Sequence, residues 1–158
     1  MPHIHEKIDF TAEVFIVHKN KVLLRMHDKA KIWLSVGGHI ELDEDPVQAV
    51  IREAKEEVGL DIKIIGDSSG PLSGKPENRG YTYLITPRHL GRHPVSETHE
   101  HVVFVYYGTT DNDFISESMN EHERSAVKWV TMDELKTMNL VPNVLFYATE
   151  ALKELGKN

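Results

Sequence analysis

Cysteine is absent from this 158-residue chain, which excludes disulfides, thiolate zinc sites and cysteine nucleophiles. Positive charge is also scarce. Lys and Arg number 18 against 25 Asp and Glu, and the formal net charge of -7 argues against broad binding to a nucleic-acid backbone, which needs clustered Lys and Arg. No apolar run is long enough to span a bilayer. The opening stretch, MPHIHEKIDF, lacks the apolar core of a signal peptide. Internal repeats, low-complexity tracts and dividing linkers are missing too. The expectation is one domain over residues 1–158, long enough for a sizeable core, cytoplasmic, with neither a nucleic acid nor a membrane as partner.

What the chain does contain is a dense stretch from Gly38 to Leu60, GHIELDEDPVQAVIREAKEEVGL. Asp45-Pro46 reads as a helix start, since Asp45 can cap free N–H groups, Pro46 suits the first helical position and Gln48 nearly completes a capping box. Gly59 reads as the stop, being able to take the left-handed conformation that ends many helices. Val47, Val50, Ile51, Ala54 and Val58 fall on one stripe that should face a core. Glu53, Glu56 and Glu57 share another face, because residues three and four apart are helical neighbours. Clustered carboxylates repel one another, and a divalent cation would reverse that sign; hard ions such as Mg²⁺ take oxygen ligands. Arg52 sits beside this face and can pair back to Glu44. Gly37-Gly38 lets the backbone approach closely, so that bare carbonyls can reach the same ion. For an isolated helix, the plainer alternative is a solvated acidic face.

The order here is more demanding than that alternative requires. Gly38, five residues, Glu44, seven residues, Arg52-Glu53, then Glu56-Glu57 and Gly59-Leu60 resembles the Nudix box, G-x5-E-x7-R-E-U-x-E-E-x-G-U, with U a bulky aliphatic residue. Every fixed letter is met. Two departures are visible: Ala54 is smaller than the pattern prefers, and Val36 stands where relatives often have proline.

Elsewhere, residues 11–18 and 21–27 read as strands joined across Lys19-Asn20, apolar enough to be covered on both faces. Residues 32–36 read as a short strand before the glycines, 40–42 as a brief one after them, and 61–66, 81–86, 99–109 and 126–130 as further strands. Residues 67–80 and 87–96 read as loops. The second loop carries Arg88, His89, Arg92 and His93, either an ordinary solvated loop or a phosphate clamp. Thr131 with Glu134 starts a short helix. Pro142 opens a last helix through Leu155, with Val144, Leu145, Ala148, Leu152 and Leu155 as its apolar stripe. The ten histidines look scattered. His3 with His5 reads as a frayed terminus rather than a metal site, and His39 as either a phosphate contact or a half-exposed strand residue. Trp33, Tyr81 and Tyr83 can stack a base or simply pack.

The Nudix resemblance implies an α/β/α sandwich with a mixed sheet between helices. It implies hydrolysis of a nucleoside diphosphate linked to another moiety, an NTP, dNTP or NDP-X, at the diphosphate linkage. On that likeness Glu53, Glu56, Glu57 and the Gly38 carbonyl hold Mg²⁺, with Mn²⁺ as a substitute, while Arg52 and Glu44 brace the loop. The general base is left open among Glu56, Glu57 and Glu123, the last chosen because it precedes the Trp129 strand. Homodimers are common among such relatives. Two rivals stand beside this reading. One is a non-catalytic nucleotide-binding or regulatory module on the same fold; the other is an isoprenoid diphosphate isomerase, which would need a cysteine this chain lacks.

Overall fold

A computed structural model describes residues 7–116 and 126–157. Its strands are β1 (Ile8–His18), β2 (Lys21–His27), β3 (Ile32–Leu34), β4 (Val36–His39), β5 (Lys63–Ile64), β6 (His89–Pro94), β7 (Glu100–Thr109) and β8 (Val127–Val130). The helices are α1 (Pro46–Val58), α2 (Met132–Thr137) and α3 (Pro142–Leu155), with one 3-10 turn at Pro76–Asn78.

All eight strands form one mixed sheet organised around β1. It runs parallel to β7 over Ile8↔Glu100 to Val17↔Thr109, and antiparallel to β2 and β4. Strand side chains alternate between faces, and β1 shows why both sides need cover. Ala12, Val14 and Ile16 enter a core with Ala49, Val50, Ala54 and Val58 of α1. Phe15 and Val17 enter another with Val144, Ala148, Ala151 and Leu152 of α3 and Leu135 of α2. The result is the expected α/β/α sandwich, with α1 on one face and α3 on the other.

Several local expectations are corrected. Residues 81–86 form no strand, and Tyr81 is 66% exposed. A strand forms instead inside the stretch read as a loop, where β6 pairs antiparallel with β7. Residues 89–94 lie next to β7 in the chain and close a hairpin through the Val95 N–H to His99 C=O bond at 2.8 Å. A short closure is entropically cheap, which favours this hairpin. The strand expected over residues 40–42 is also displaced: the glycine pair itself lies inside β4, and beyond Ile40 the chain turns back through Glu41 and Glu44. The strand expected over 61–66 shrinks to Lys63–Ile64. Both helical stripes are narrower than read. Ile51 is 44% exposed and Leu145 36%, while Ala49 takes a core position.

Candidate metal and phosphate site

The acidic cluster is positioned by a helix whose ends are both fixed. Asp45 Oδ1 accepts from the Val47 and Gln48 N–H groups at 2.8 and 2.9 Å, and Gln48 Oε1 accepts from the Asp45 N–H at 2.9 Å. At the other end Gly59 adopts φ 72°, with its N–H directed at the Ala54 and Lys55 carbonyls. These caps hold the register of α1, and hence the direction in which its carboxylates point.

The glycine pair lets that helix approach the sheet. β4 pairs with β1 at Gly37↔Glu13 and Gly38↔Ala12. A Cβ on Gly37 would fall 2.3 Å from the Ala12 carbonyl oxygen, and one on Gly38 would fall 2.4 Å from Glu53 Oε1. The space a side chain would fill at residue 38 is therefore occupied by the Glu53 carboxylate.

Arg52 is the hub of the cluster. Its Nε donates to Glu44 Oε2 at 3.0 Å and its Nη2 to Glu44 Oε1 at 2.7 Å and the His39 carbonyl at 3.2 Å. Its Nη1 donates to Glu53 Oε1 at 3.0 Å and Glu56 Oε2 at 2.9 Å. Glu57 has partners of its own: its Oε2 accepts from the Gly37 N–H at 3.2 Å, and its Oε1 lies 2.7 Å from Arg25 Nη2. The hydrogen bonds from Arg52 hold the Glu44 carboxyl below the usual carboxylate range, and Glu44 in turn pushes the guanidinium up. Burial pushes the Glu53 carboxyl up, against the opposing pull of Arg52. Four carboxylates thus meet two guanidiniums. An oxygen-rich set with surplus negative charge, closed against bare backbone at Gly38, fits the donor preference of Mg²⁺ or Mn²⁺.

The other residues singled out in the sequence fall into place as follows. Glu123 lies outside the described residues, as do His3 and His5. Of the basic stretch, Arg88 pairs with Glu154, His89 Nε2 lies 2.6 Å from Glu150 Oε2, and Arg92 Nε lies 3.5 Å from Glu100 Oε2. Arg88 and His89 thereby tie β6 to α3. Trp33 packs against the α3-side core, Tyr81 and Tyr83 pack edge to face on each other, and Trp129 Nε1 donates to the Asp113 carbonyl at 3.0 Å. A cavity on the outer side of α3, lined by Leu140, Leu145, Phe146 and Lys153 among others, includes none of the acidic set.

Two features escaped the sequence. Arg25 reaches Glu57 from β2, a contact between distant segments that no local spacing reveals. The histidines are not all scattered: His39, His99 and His101 converge with Asp9. The alternation of HEH at residues 99–101 was a visible signal, but its partners depend on which strands pair. Burial, reinforced by the neighbouring histidines, pushes the His101 imidazole down to about 4.

With this geometry in place, comparison with known proteins is informative. The NUDIX domain family matches residues 9–148. A crystal structure of a NUDIX-family hydrolase from Clostridium perfringens is 43% identical, covers 93% of this chain and 97% of its own, and superposes with a TM-score of 0.84. An RNA pyrophosphohydrolase of Gluconacetobacter diazotrophicus is 27% identical over 69% of this chain and 62% of its own length. An uncharacterized Nudix hydrolase of Bacillus subtilis, YvcI, is 24% identical over 78% of this chain and 66% of its own. The chain thus spans under two-thirds of either curated relative. The family match runs from the first turn of β1 well into α3 and takes in the whole acidic helix, so this chain belongs to the Nudix hydrolase family.

Proposed function

We propose that this protein is a single-domain, divalent-cation-dependent pyrophosphohydrolase that cleaves the diphosphate linkage of a small-molecule nucleotide, an NTP, dNTP or NDP-X. The observation that carries the reading is the closure of Glu53 against the Gly38 backbone, with Glu44 and Glu56 gathered on the same guanidinium. Arg52 and Arg25 offset only part of the charge of the four carboxylates, and a bound cation would balance the remainder.

Glu53, Glu56, Glu57 and the Gly38 carbonyl would hold Mg²⁺ or Mn²⁺. The ion, when bound, supplies neutralisation of phosphate charge and acidification of water. The chain's own groups do the rest. Arg52 and Glu44 fix the loop between β4 and α1 relative to the helix, which matters because misplacement by about 1 Å can cost ~10²-fold in rate. Glu57, tied to the Gly37 N–H and to Arg25, keeps the glycine pair of β4 seated on the helix. Glu56 has the most open side chain of the four, at 60% exposure, and suits the role of proton acceptor from the attacking water. The pyrophosphohydrolase activity in the name of one relative supports the linkage class.

The test is a panel of NTPs, dNTPs, dinucleoside polyphosphates, ADP-ribose and nucleotide sugars, with products identified, in Mg²⁺, Mn²⁺ and EDTA. Cation-dependent release of a mononucleotide from at least one class is expected. No turnover of any, with calorimetry showing nucleotide binding, would replace the reading with that of a binding module.

A further inference from the structure

A second group of ligating atoms lies on the other face of the sheet, and nothing in the hydrolytic reading uses it. Asp9 pairs with His101 across β1 and β7, and Thr11 pairs with His39 across β1 and β4. Residues directly opposite in a sheet, and residues two apart in a strand, share a face. Asp9, His39, His99 and His101 therefore all lie on the side of Phe15 and Tyr107, over which α3 packs further along the same strands. The side of α1 is the opposite one.

From this convergence we infer that Asp9, His39, His99 and His101 form a cation site distinct from the acidic helix, suited to a first-row transition ion such as Zn²⁺. One ligating atom from each lies within 4.8 Å of all the others. Asp9 Oδ2 is 3.2 Å from His99 Nε2 and 3.5 Å from His39 Nε2. Four ligands at the ~2.0–2.1 Å typical of nitrogen and oxygen on Zn²⁺ stand about 3.3–3.4 Å apart in a tetrahedron, so these two edges need almost no adjustment. The rings meet edge to face: His39 and His101 have centroids 4.9 Å apart at 86°, His99 and His101 5.1 Å apart at 88°.

Donor chemistry separates this site from the acidic one. Three imidazoles and a carboxylate suit Zn²⁺, Co²⁺ or Ni²⁺, whereas the glutamates of α1 are an oxygen set suited to Mg²⁺. Asp9 is 8% exposed, so the carboxylate sits at the inner end of the cluster with the imidazoles around it. His39 directly follows Gly38, and an ion held here would join β4 to β1 and β7 beside the glycine pair. The ion's role is to clamp three strands, and it takes no part in hydrolysis.

The experiment uses the full chain, stripped with EDTA and dialysed into excess Mg²⁺ so that the acidic helix is occupied. Zn²⁺ is added in equilibrium dialysis, and Co²⁺ separately with visible absorption. One Zn²⁺ equivalent is expected to persist in excess Mg²⁺, and Co²⁺ is expected to give the intense d–d bands of a four-coordinate site. His99→Gln and His101→Gln should each weaken Zn²⁺ binding by at least ~10–100-fold, while Glu53→Gln and Glu57→Gln leave it unchanged. Histidine ¹⁵N spectra of the unmodified protein provide a readout that needs no variant: three imidazoles should shift on adding one equivalent of Zn²⁺. Absence of that shift, wild-type binding in the histidine variants, or loss of binding in the glutamate variants would each overturn the assignment.

Discussion

Arg52 reaches back eight residues to clasp Glu44 through two separate contacts, Nε to Oε2 at 3.0 Å and Nη2 to Oε1 at 2.7 Å. The same guanidinium then turns its remaining nitrogen to Glu53 and Glu56. A planar fork can make these contacts simultaneously, and a point-charge ammonium cannot. Arg52→Lys is therefore expected to behave much like Arg52→Ala, each losing about 10²-fold in kcat/KM through displacement of the loop. Steady-state kinetics on whichever nucleotide proves to be the substrate would check this; full rescue by lysine would show that charge alone suffices.

Glu56→Gln and Glu57→Gln should each lower turnover by about 10²–10⁴-fold at saturating Mg²⁺, while circular dichroism shows the fold retained. The two should differ in stability. Glu57 pairs with Arg25 at 19% exposure, whereas Glu56 pairs with Arg52 at 60% exposure, so the melting temperature of Glu57→Gln should fall below that of Glu56→Gln. Wild-type-like turnover in both variants would remove the acidic helix from the reaction.

Gly38→Ala tests the close approach of helix and strand. Its added carbon would meet Glu53 Oε1 at 2.4 Å, so the carboxylate must swing away while the surrounding core stays intact. The expected outcome is a weaker apparent affinity for Mg²⁺, by about 10-fold or more, read from the cation dependence of the rate or from calorimetry. An unchanged affinity would mean that Glu53 is free to shift without consequence.

Glu13 gives a pH-dependent prediction. Burial pushes its carboxyl up, only partly offset by the hydrogen bond that Ser35 Oγ donates at 2.7 Å and by the nearby His93. A carboxyl whose folded pKa lies above its unfolded one contributes stability below the unfolded value, and that contribution is lost as pH rises through the folded value. Once ionised, the buried group is thus a burden. Glu13→Gln should raise the melting temperature near neutral pH by about a few degrees, and the gain should vanish in acid. Calorimetric melts of both proteins across pH decide it, and a wild type more stable than the variant at neutral pH would contradict the sign.

The basic hairpin offers a control. Arg88 is engaged by Glu154 and lies with its guanidinium carbon 5.8 Å from the Tyr107 ring centroid. Arg88→Ala should leave KM within about twofold and change stability by no more than the ~1 kcal/mol of a partly exposed ion pair. A large rise in KM would restore the phosphate clamp as the role of this stretch.

The parts of this molecule that were legible in the sequence are those encoded within a few turns of chain. Asp45, Pro46, Gln48 and Gly59 bracket α1 because caps act on adjacent backbone groups, and the pairing of Arg52 with Glu44 follows from spacing along one loop and helix. That residues 89–94 form a strand and residues 81–86 do not was not legible, because β6 is defined by its pairing with β7 and local alternation does not report pairing. Arg25 with Glu57, and Asp9 with the three histidines, depend on which strands become neighbours. Such contacts exist only once the sheet is assembled.

β1 is paired on both sides, to β7 along one edge and to β4 and β2 along the other. Its odd-numbered residues from Asp9 to Phe15 look toward the histidines and α3, and its even-numbered ones from Ala12 to Ile16 toward the glutamate-bearing helix. Inserting or deleting one residue midway along it would reverse the facing of every side chain on one side of the change and exchange the two environments there. A one-residue change of length here therefore disturbs both layers at once, whereas residues 67–80, which lie in no strand of the sheet, do not transmit such a change to either.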